Sequence, residues 1–269
     1  MKQVDSDSLI QLGKVIRRDV LRLCQETNTG HVGSAFSVVE ILLVLYSKIV
    51  KGRYPDPDRD RVILGKGHAG HALISTLTML GIADESIKSG FAINGSRFGH
   101  HPHYEPAVGF ESNTGSLGHG LSVGAGVAYA SRNRKSAGRT FVVLSDGDIN
   151  EGSTWEAASF AGQHALSNLC IVHDSNKMQA LGFTKDILSP GDSIDRWKSF
   201  GWEAAAVDGH DVIQLTAAFQ EMGAKGKPLA VVANTIKGKG VSFMENSLLW
   251  HYRVPKGEEY LKALEELSL

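Results

Sequence analysis

Phe141-Val142-Val143-Leu144-Ser145-Asp146-Gly147-Asp148-Ile149-Asn150-Glu151 and, further on, Leu169-Cys170-Ile171-Val172-His173-Asp174-Ser175-Asn176 decide the fold. Each block opens as an apolar run, rich in β-branched residues, and ends on an oxygen-bearing side chain: Asp146 after the first, Asn176 after the second. Runs of this kind are strands, and residues 151–166 between them read as a helix. Strand, helix, strand is a βαβ unit, whose parallel strands open at the same carboxyl edge. The pattern predicts an α/β fold, a doubly wound and mainly parallel sheet flanked by helices. It also places Asp146 and Asn176 in one crevice although 30 positions separate them.

Oxygen atoms so placed suit a divalent cation. Mg²⁺ prefers octahedral oxygen coordination, with one or two protein oxygens completed by phosphate oxygens and water. Asp146 supplies charge, Asn176 a neutral carbonyl oxygen, and a main-chain carbonyl near Met178 completes the protein share. Gly147 lacks a β-carbon, so a diphosphate can approach the backbone closely. The helix start near Asn150 and Glu151 adds free N–H groups and the positive end of a dipole. The residues therefore point to a metal-held diphosphate. The plain alternative, a strand-to-helix turn capped by Asp146, gives the paired Asn176 no purpose.

Outside this unit, Leu9, Leu12, Val15, Ile16, Val20 and Leu23 predict a helix over 7–27, and a strongly apolar helix follows from 36 or 37 to 50. A short strand at 61–64 follows the Asp56-Pro57-Asp58 turn, with helices at 69–80 and 84–90. Residues 91–114, rich in Gly, His and Pro, read as a functional loop. Gly118, Gly120, Gly124 and Gly126 mark 117–134 as a closely packed helix. An irregular stretch (177–192), a helix near 194–200, a strand at 203–207, a helix at 211–223, a strand at 229–234 and a terminal helix at 258–267 complete the chain. Residues 1–269 show no repeat or linker and read as a single domain.

With Lys+Arg at 28 and Asp+Glu at 29, the net charge is −1 and no basic stripe appears, which argues against nucleic acid as the main partner. No stretch reaches membrane-spanning length, and Met1-Lys2-Gln3-Val4-Asp5-Ser6-Asp7 is no signal sequence, so a cytoplasmic protein without membrane contact is expected. Cys24 and Cys170 lie in apolar runs and read as buried thiols of a reducing compartment.

Other segments also set glycine beside histidine or lysine where a helix starts or a strand ends. They are Thr29-Gly30-His31-Val32-Gly33-Ser34, Gly65-Lys66-Gly67-His68, Thr114-Gly115-Ser116-Leu117-Gly118-His119-Gly120, and Thr235-Ile236-Lys237-Gly238-Lys239-Gly240 with Trp250-His251 downstream. Each alone is an ordinary glycine-rich turn. Together they suit a wall around a phosphate ester.

These segments, with Trp155-Glu156-Ala157-Ala158, Asn168-Leu169 and Phe243-Met244-Glu245-Asn246, closely resemble the N-terminal, diphosphate-binding half of transketolases over roughly residues 10–255. The resemblance implies the diphosphate (PP) type of thiamine diphosphate-binding fold. It also implies thiamine diphosphate held through Mg²⁺ (or Ca²⁺ or Mn²⁺), and transfer of a two-carbon ketol unit from a ketose phosphate to an aldose phosphate. Residue by residue, Asp146, Asn176 and the Met178 carbonyl would bind the metal, and Gly147, Lys66, His68 and Lys237 would face the diphosphate. Gly115 and Leu117 would line the aminopyrimidine pocket. His31, His101 and His251 would face the reacting carbons, with Ser34 nearby. Glu151 matches a buried glutamate that links to the active site across the subunit interface. Neutral imidazoles near pH 7 suit the proton transfers each half-reaction needs.

The sequence departs from the family pattern in places. Ser145 stands where the motif usually has its first Gly, a change expected to matter little, and Val32 replaces the usual Pro after His31. The loop Phe98-Gly99-His100-His101-Pro102-His103 carries extra histidines. Family members usually run to more than twice this length, with a second domain that holds the aminopyrimidine, and no segment here resembles it. A split enzyme is therefore expected, whose partner is a C-terminal transketolase subunit in an α₂β₂ assembly and whose substrates are sugar phosphates. The helices at 117–134 and 151–166 are candidate interfaces.

Other readings stay open at this point. His100, His101 and His103 form a candidate zinc site that lacks an acidic or Cys partner at ligand spacing. Asp208-Gly209-His210-Asp211 reads as a turn and helix cap, and Trp155 and Trp197 as core or interface anchors. A 2-oxo acid dehydrogenase α-subunit shares the metal motif but not the Gly-His-Gly and Lys-Gly-Lys-Gly segments. The remaining rivals are a synthase of the 1-deoxyxylulose-5-phosphate type and a non-catalytic scaffolding subunit.

Overall fold

Alternation along the strands divides the core in two. In β2 (Thr140–Ser145), Phe141 and Val143 face one cluster of buried side chains while Val142 and Leu144 face another. The same split runs through β1 (Arg61–Leu64), where Val62 and Leu64 oppose Ile63, and β3 (Leu169–Ser175), where Cys170 and Val172 oppose Leu169 and Ile171. A strand that buries both faces needs a continuous apolar run, which is what these segments carry. Helices Ser6–Thr27, Val39–Val44, Gly70–Met79 and Val212–Gln220 cover the first face, and His119–Asn133, Gly152–Gln163 and Ser193–Ser199 the second.

The computed structural model describes residues 6–189 and 191–268. Met1–Asp5, the first residues of the Met1–Asp7 start read above as no signal sequence, lie outside the described residues, as does Pro190 of the 177–192 stretch. With β4 (Glu203–Asp208) and β5 (Leu229–Asn234), the described strands form one five-stranded sheet in the order β1-β2-β3-β5-β4, parallel throughout. The chain steps from β1 to β3, skips a place to β4, then returns over the opposite face to insert β5. Such a reversal opens a crevice outside the carboxyl ends of the strands. Ser145 pairs with Asp174 in register, so Asp146 and Asn176 leave the sheet as neighbours.

The expected fold class and strands are present, and helix boundaries differ in informative ways. The apolar helix expected from 36 or 37 to 50 starts earlier and is broken into Val32–Ser37, Val39–Val44 and a π-helical turn Leu45–Ile49. At the first break the Arg17 guanidinium donates to the Phe36 carbonyl at 2.9 Å. The helix expected over 151–166 is present as Gly152–Gln163, and a short helix not expected, Asp146–Asn150, precedes it with Glu151 extended between them. Among the described residues no helix is long and apolar enough to cross a membrane. Cys24 and Cys170 are buried and unpaired with each other.

Candidate active site

At the carboxyl edge lies a cavity of about 430 Å³. His31, Ser34, His68, His101, Gly115, Leu117, Gly147, Asn176, Met178, Lys237 and His251 all line it, so segments scattered over the sequence converge as expected. Ser145, Gln179, Ala180 and Tyr252 join them without having been foreseen as lining. A second cavity, about 380 Å³, opens at the amino edge around Tyr46 and the Arg59–Glu111 ion pair and gathers none of the expected residues.

One end of the carboxyl-edge cavity is built on the turn after β2. Asp146 lies just beneath the lining, buried, with its Oδ1 accepting from His173 Nε2 at 3.0 Å. Its Oδ2 is buried and has no hydrogen-bond partner among the described residues. A carboxylate oxygen left so is costly unless a cation meets it. The Asn176 carbonyl oxygen accepts the Met178 N–H at 3.2 Å, which fixes the amide's orientation. Ser145, expected to matter little, closes a capping box: its Oγ accepts the Asp148 N–H at 3.3 Å, and its own N–H donates to Asp148 Oδ2 at 2.8 Å. The other oxygen of Asp148 accepts the Gly118 N–H at 2.8 Å, so one buried carboxylate joins the Asp146 turn to the Leu117 loop. A β-carbon on Gly147 would lie 2.8 Å from Leu117 Cδ1, so glycine there makes room for the neighbouring wall.

Lys66 is placed otherwise than expected. Lys66 is fully buried behind the lining; its ammonium is ion-paired with Asp174 and donates to the Ser34 carbonyl at 2.9 Å. Asp174 also accepts from Ser37 Oγ at 2.6 Å and from the Thr235 hydroxyl. Burial alone would raise its carboxyl, but the Lys66 charge and these donors hold it below the usual carboxylate range. This knot ties the ends of β1, β3 and β5 to helix Val32–Ser37, and nothing in the local sequence around Asp174 announced it. Glu151 is solvent-exposed in this chain, beyond Gly118, and lines no part of the cavity.

The other end is a cluster of imidazoles. His31 holds a left-handed backbone (φ 69°) at the start of helix Val32–Ser37, and its N–H donates to the His251 carbonyl at 2.7 Å. Such strain in a non-glycine residue persists only where the surroundings enforce it. The His31 ring packs at 4.9 Å from His251, 5.5 Å from His68 and 6.1 Å from His101. Burial, then the neighbouring imidazoles and Lys237, push the His31 ring down to about 3. Burial and the charges of Lys237 and Lys66 push His251 down to about 4, and His68 and His101 are lowered as well. All are neutral bases near pH 7. Lys237 Nζ donates to His251 Nδ1 at 2.8 Å, and burial together with Lys66 lowers it to about 8.

A further support went unread. Arg17 forms a buried two-pronged ion pair with Glu40 (2.6 and 2.7 Å), and Glu40 Oε2 lies 2.9 Å from His210 Nδ1. His210 Nε2 accepts the Ile236 N–H at 2.9 Å, so its proton sits on Nδ1, and the chain of contacts steadies the loop that carries Lys237. The isolated signal was Glu40, a carboxylate inside an apolar helix. Asp211 caps helix Val212–Gln220, accepting from the Ile213 and Gln214 N–H groups at 2.8 and 3.1 Å. Trp155 and Trp197 pack together at 4.8 Å in the core. Within the candidate zinc set, His100 Nε2 is engaged by His31 and His103 is exposed.

A parallel-sheet crevice with one unsatisfied carboxylate oxygen at one end and neutral bases at the other has the make-up of a cofactor-dependent enzyme's site. Residues 8–266 match the family described as "Transketolase, thiamine diphosphate binding domain". The chain is 39% identical over 266 residues to an apulose-4-phosphate transketolase subunit of Actinobacillus succinogenes, covering 97% of this chain and 96% of that one. It is 36% identical over 258 residues to a 6-deoxy-6-sulfo-D-fructose transketolase subunit of a Clostridium species, covering 94% of each. Transketolase from Leishmania mexicana superposes with a TM-score of 0.88 at 27% identity, over 97% of this chain and 41% of that one. The chain belongs to the transketolase family and carries its thiamine diphosphate-binding domain. It spans about 41% of the solved transketolase but nearly the whole of the Actinobacillus relative.

Proposed function

We propose that this chain is the cofactor-anchoring subunit of a two-chain transketolase, moving a ketol unit between sugar phosphates. The observation that carries this reading is the pairing, in one cavity, of an unsatisfied Asp146 oxygen beside Asn176 with a ring of neutral histidines. Asp146, Asn176 and the Met178 carbonyl would hold Mg²⁺, and the Lys237 charge with that of the metal would balance the diphosphate. When bound, the cofactor supplies the nucleophilic carbon and the electron sink for cleaving the donor's carbon–carbon bond. His31, His101 and His251 exchange protons with substrate hydroxyl and carbonyl oxygens, and His68 orients the diphosphate. Gly115 and Leu117 form one wall for the pyrimidine ring, and Glu151 meets the partner.

The remaining wall comes from a second, pyrimidine-binding chain in an α₂β₂ assembly within the cytoplasm, residues 1–269 acting as one domain. Exposed Leu181 (87%), directly after the cavity residues Met178–Ala180, and Leu188 (58%), further along the same stretch, supply an apolar surface for that partner. Relatives named for apulose 4-phosphate and for a sulfofructose favour a phosphorylated or similarly anionic sugar as donor.

The test is reconstitution. This chain, mixed with the pyrimidine-domain chain that co-purifies with it, transfers two carbons from a ketose phosphate to an aldose phosphate, and neither chain does so alone. Full turnover by this chain alone, or none by the pair with thiamine diphosphate and Mg²⁺, rejects the proposal.

A further inference from the structure

His100 has no part in the cofactor reading, and it lies outside the cavity lining. Its Nε2 nevertheless stands 3.0 Å from Nδ1 of His31, whose ring faces the cavity. With Nδ1 occupied, Nε2 is the His31 nitrogen left for a substrate. Which nitrogen carries the proton decides whether His31 meets a substrate oxygen as donor or as acceptor.

Proton counting behind His100 narrows the choice. The Thr27 hydroxyl donates to the Leu23 carbonyl at 2.6 Å, so towards Thr29, also at 2.6 Å, Thr27 Oγ1 acts as acceptor. A hydroxyl has one proton, and that of Thr29 is spent on Thr27. Thr29 Oγ1 must then accept from His71 Nε2 at 2.7 Å, which puts the His71 proton on Nε2 and leaves its Nδ1 bare, buried and unpartnered. The His100 ring packs edge-on against His71 at 4.6 Å and against His101 at 4.9 Å, and its own Nδ1 is also buried and unpartnered. Were His31 the donor, His100 would keep a buried, orphaned N–H on Nδ1. With His100 as donor, only a bare ring nitrogen is left unpaired, and buried orphan donors are the rarer of the two.

We infer that His100 is a positioning residue that donates from Nε2 to His31 Nδ1, and so holds His31 as the Nε2–H tautomer that donates to a substrate oxygen. The other groups around His31 are the rings of His68, His101, His251 and Tyr252, at 4.9 to 6.1 Å, and the Lys237 charge. The inference rests on the ketol-transfer reading for its catalytic meaning but not for its geometry.

The experiment reads imidazole protonation by two-bond ¹H–¹⁵N correlation on the full, ¹⁵N-labelled chain at pH 7.5, with His31 assigned by its loss in His31→Gln. The native chain and His100→Gln, whose amide nitrogen reaches the Nε2 position, show His31 protonated on Nε2. His100→Leu shows a mixture of tautomers. In the reconstituted enzyme His100→Leu lowers kcat/KM by about tenfold, the scale of one lost hydrogen bond, while cofactor affinity is unchanged and His100→Gln restores most of the loss. A His31 proton on Nδ1 in the native chain overturns the inference, and that spectrum decides even if His100→Leu does not fold. A native tautomer with native kcat/KM in His100→Leu overturns it as well. Absence of ketol transfer by the native pair would reject the functional reading alone, since the spectrum still reports on His100.

Discussion

Behind the cavity lining Lys66 and Asp174 are fully buried as an ion pair; on the lining itself, His31 is only half-buried and carries no charge near neutrality. Burial disfavours ions in both places. It is answered differently according to what stands nearby: Asp174 has Lys66, Ser37 and Thr235, whereas His31 has other imidazoles and a lysine, so it gives up its proton. The first arrangement fixes charge behind the cavity to tie the ends of β1, β3 and β5 to helix Val32–Ser37. The second keeps bases free to exchange protons. The molecule thus separates the frame behind the cavity from the chemistry on its wall by choosing the neighbours of its titratable groups.

The sharpest way to break this contrast is Asp174→Ala, which leaves Lys66 buried without its counter-ion. The expected loss is about 3–5 kcal/mol in denaturant unfolding. A loss below about 1 kcal/mol, at the level of an exposed pair, would mean that the frame behind the cavity is not built on fixed charge. Next, Asp146→Ala removes the unsatisfied oxygen and should weaken thiamine diphosphate binding in Mg²⁺ by about 100-fold in calorimetric titration. Unchanged affinity would detach the metal from this turn.

Lys237 sharpens the contrast because it interacts with both. Its proton is held to about 8 in the folded chain, below the ordinary lysine value of 10.5, so it is lost first from the folded state as pH rises. Cofactor affinity should fall by about tenfold per pH unit at most above that point, and Lys237→Arg should flatten the profile. Between about 8 and 10.5 the unfolded chain binds more protons, so the cofactor-free protein should gain stability over that window. His31 and His251 give the same sign on the acid side: stability is lost as pH falls from 6.5 towards 4. A flat stability profile there would show these rings to be hydrated. The smallest effect is that of Ser145→Ala, about 1 kcal/mol for a lost cap, read by thermal unfolding.

The strands were legible because Phe141–Leu144 and Leu169–Val172 are apolar on both faces, a demand a two-sided sheet makes of each residue locally. Asp146 and Asn176 were legible because a βαβ unit fixes where strand ends meet. Asp148, Asp174 and the Arg17–Glu40–His210 chain were not, since their partners are set by packing between distant elements and each reads alone as a surface charge. The breaks at Val38 and in the π-helical turn 45–49 lie in an apolar stretch without Gly or Pro, so no punctuation marked them. Lys66 misled because a lysine beside a glycine-histidine turn suits a phosphate as well as a buried aspartate.

The position of β5 has a consequence for how the chain is made. Among the described strands β4 pairs only with β5, and β5 follows the other four in sequence yet sits between β3 and β4. On a ribosome that releases the chain from its N-terminus, β1, β2 and β3 can assemble while β4 waits without a partner and β3 presents an open edge. The sheet locks only after residue 234 emerges, and Lys237, Trp250 and His251 follow soon after. The cavity is therefore a late product of synthesis, and a nascent chain stalled before β5 is the species most exposed to misassembly.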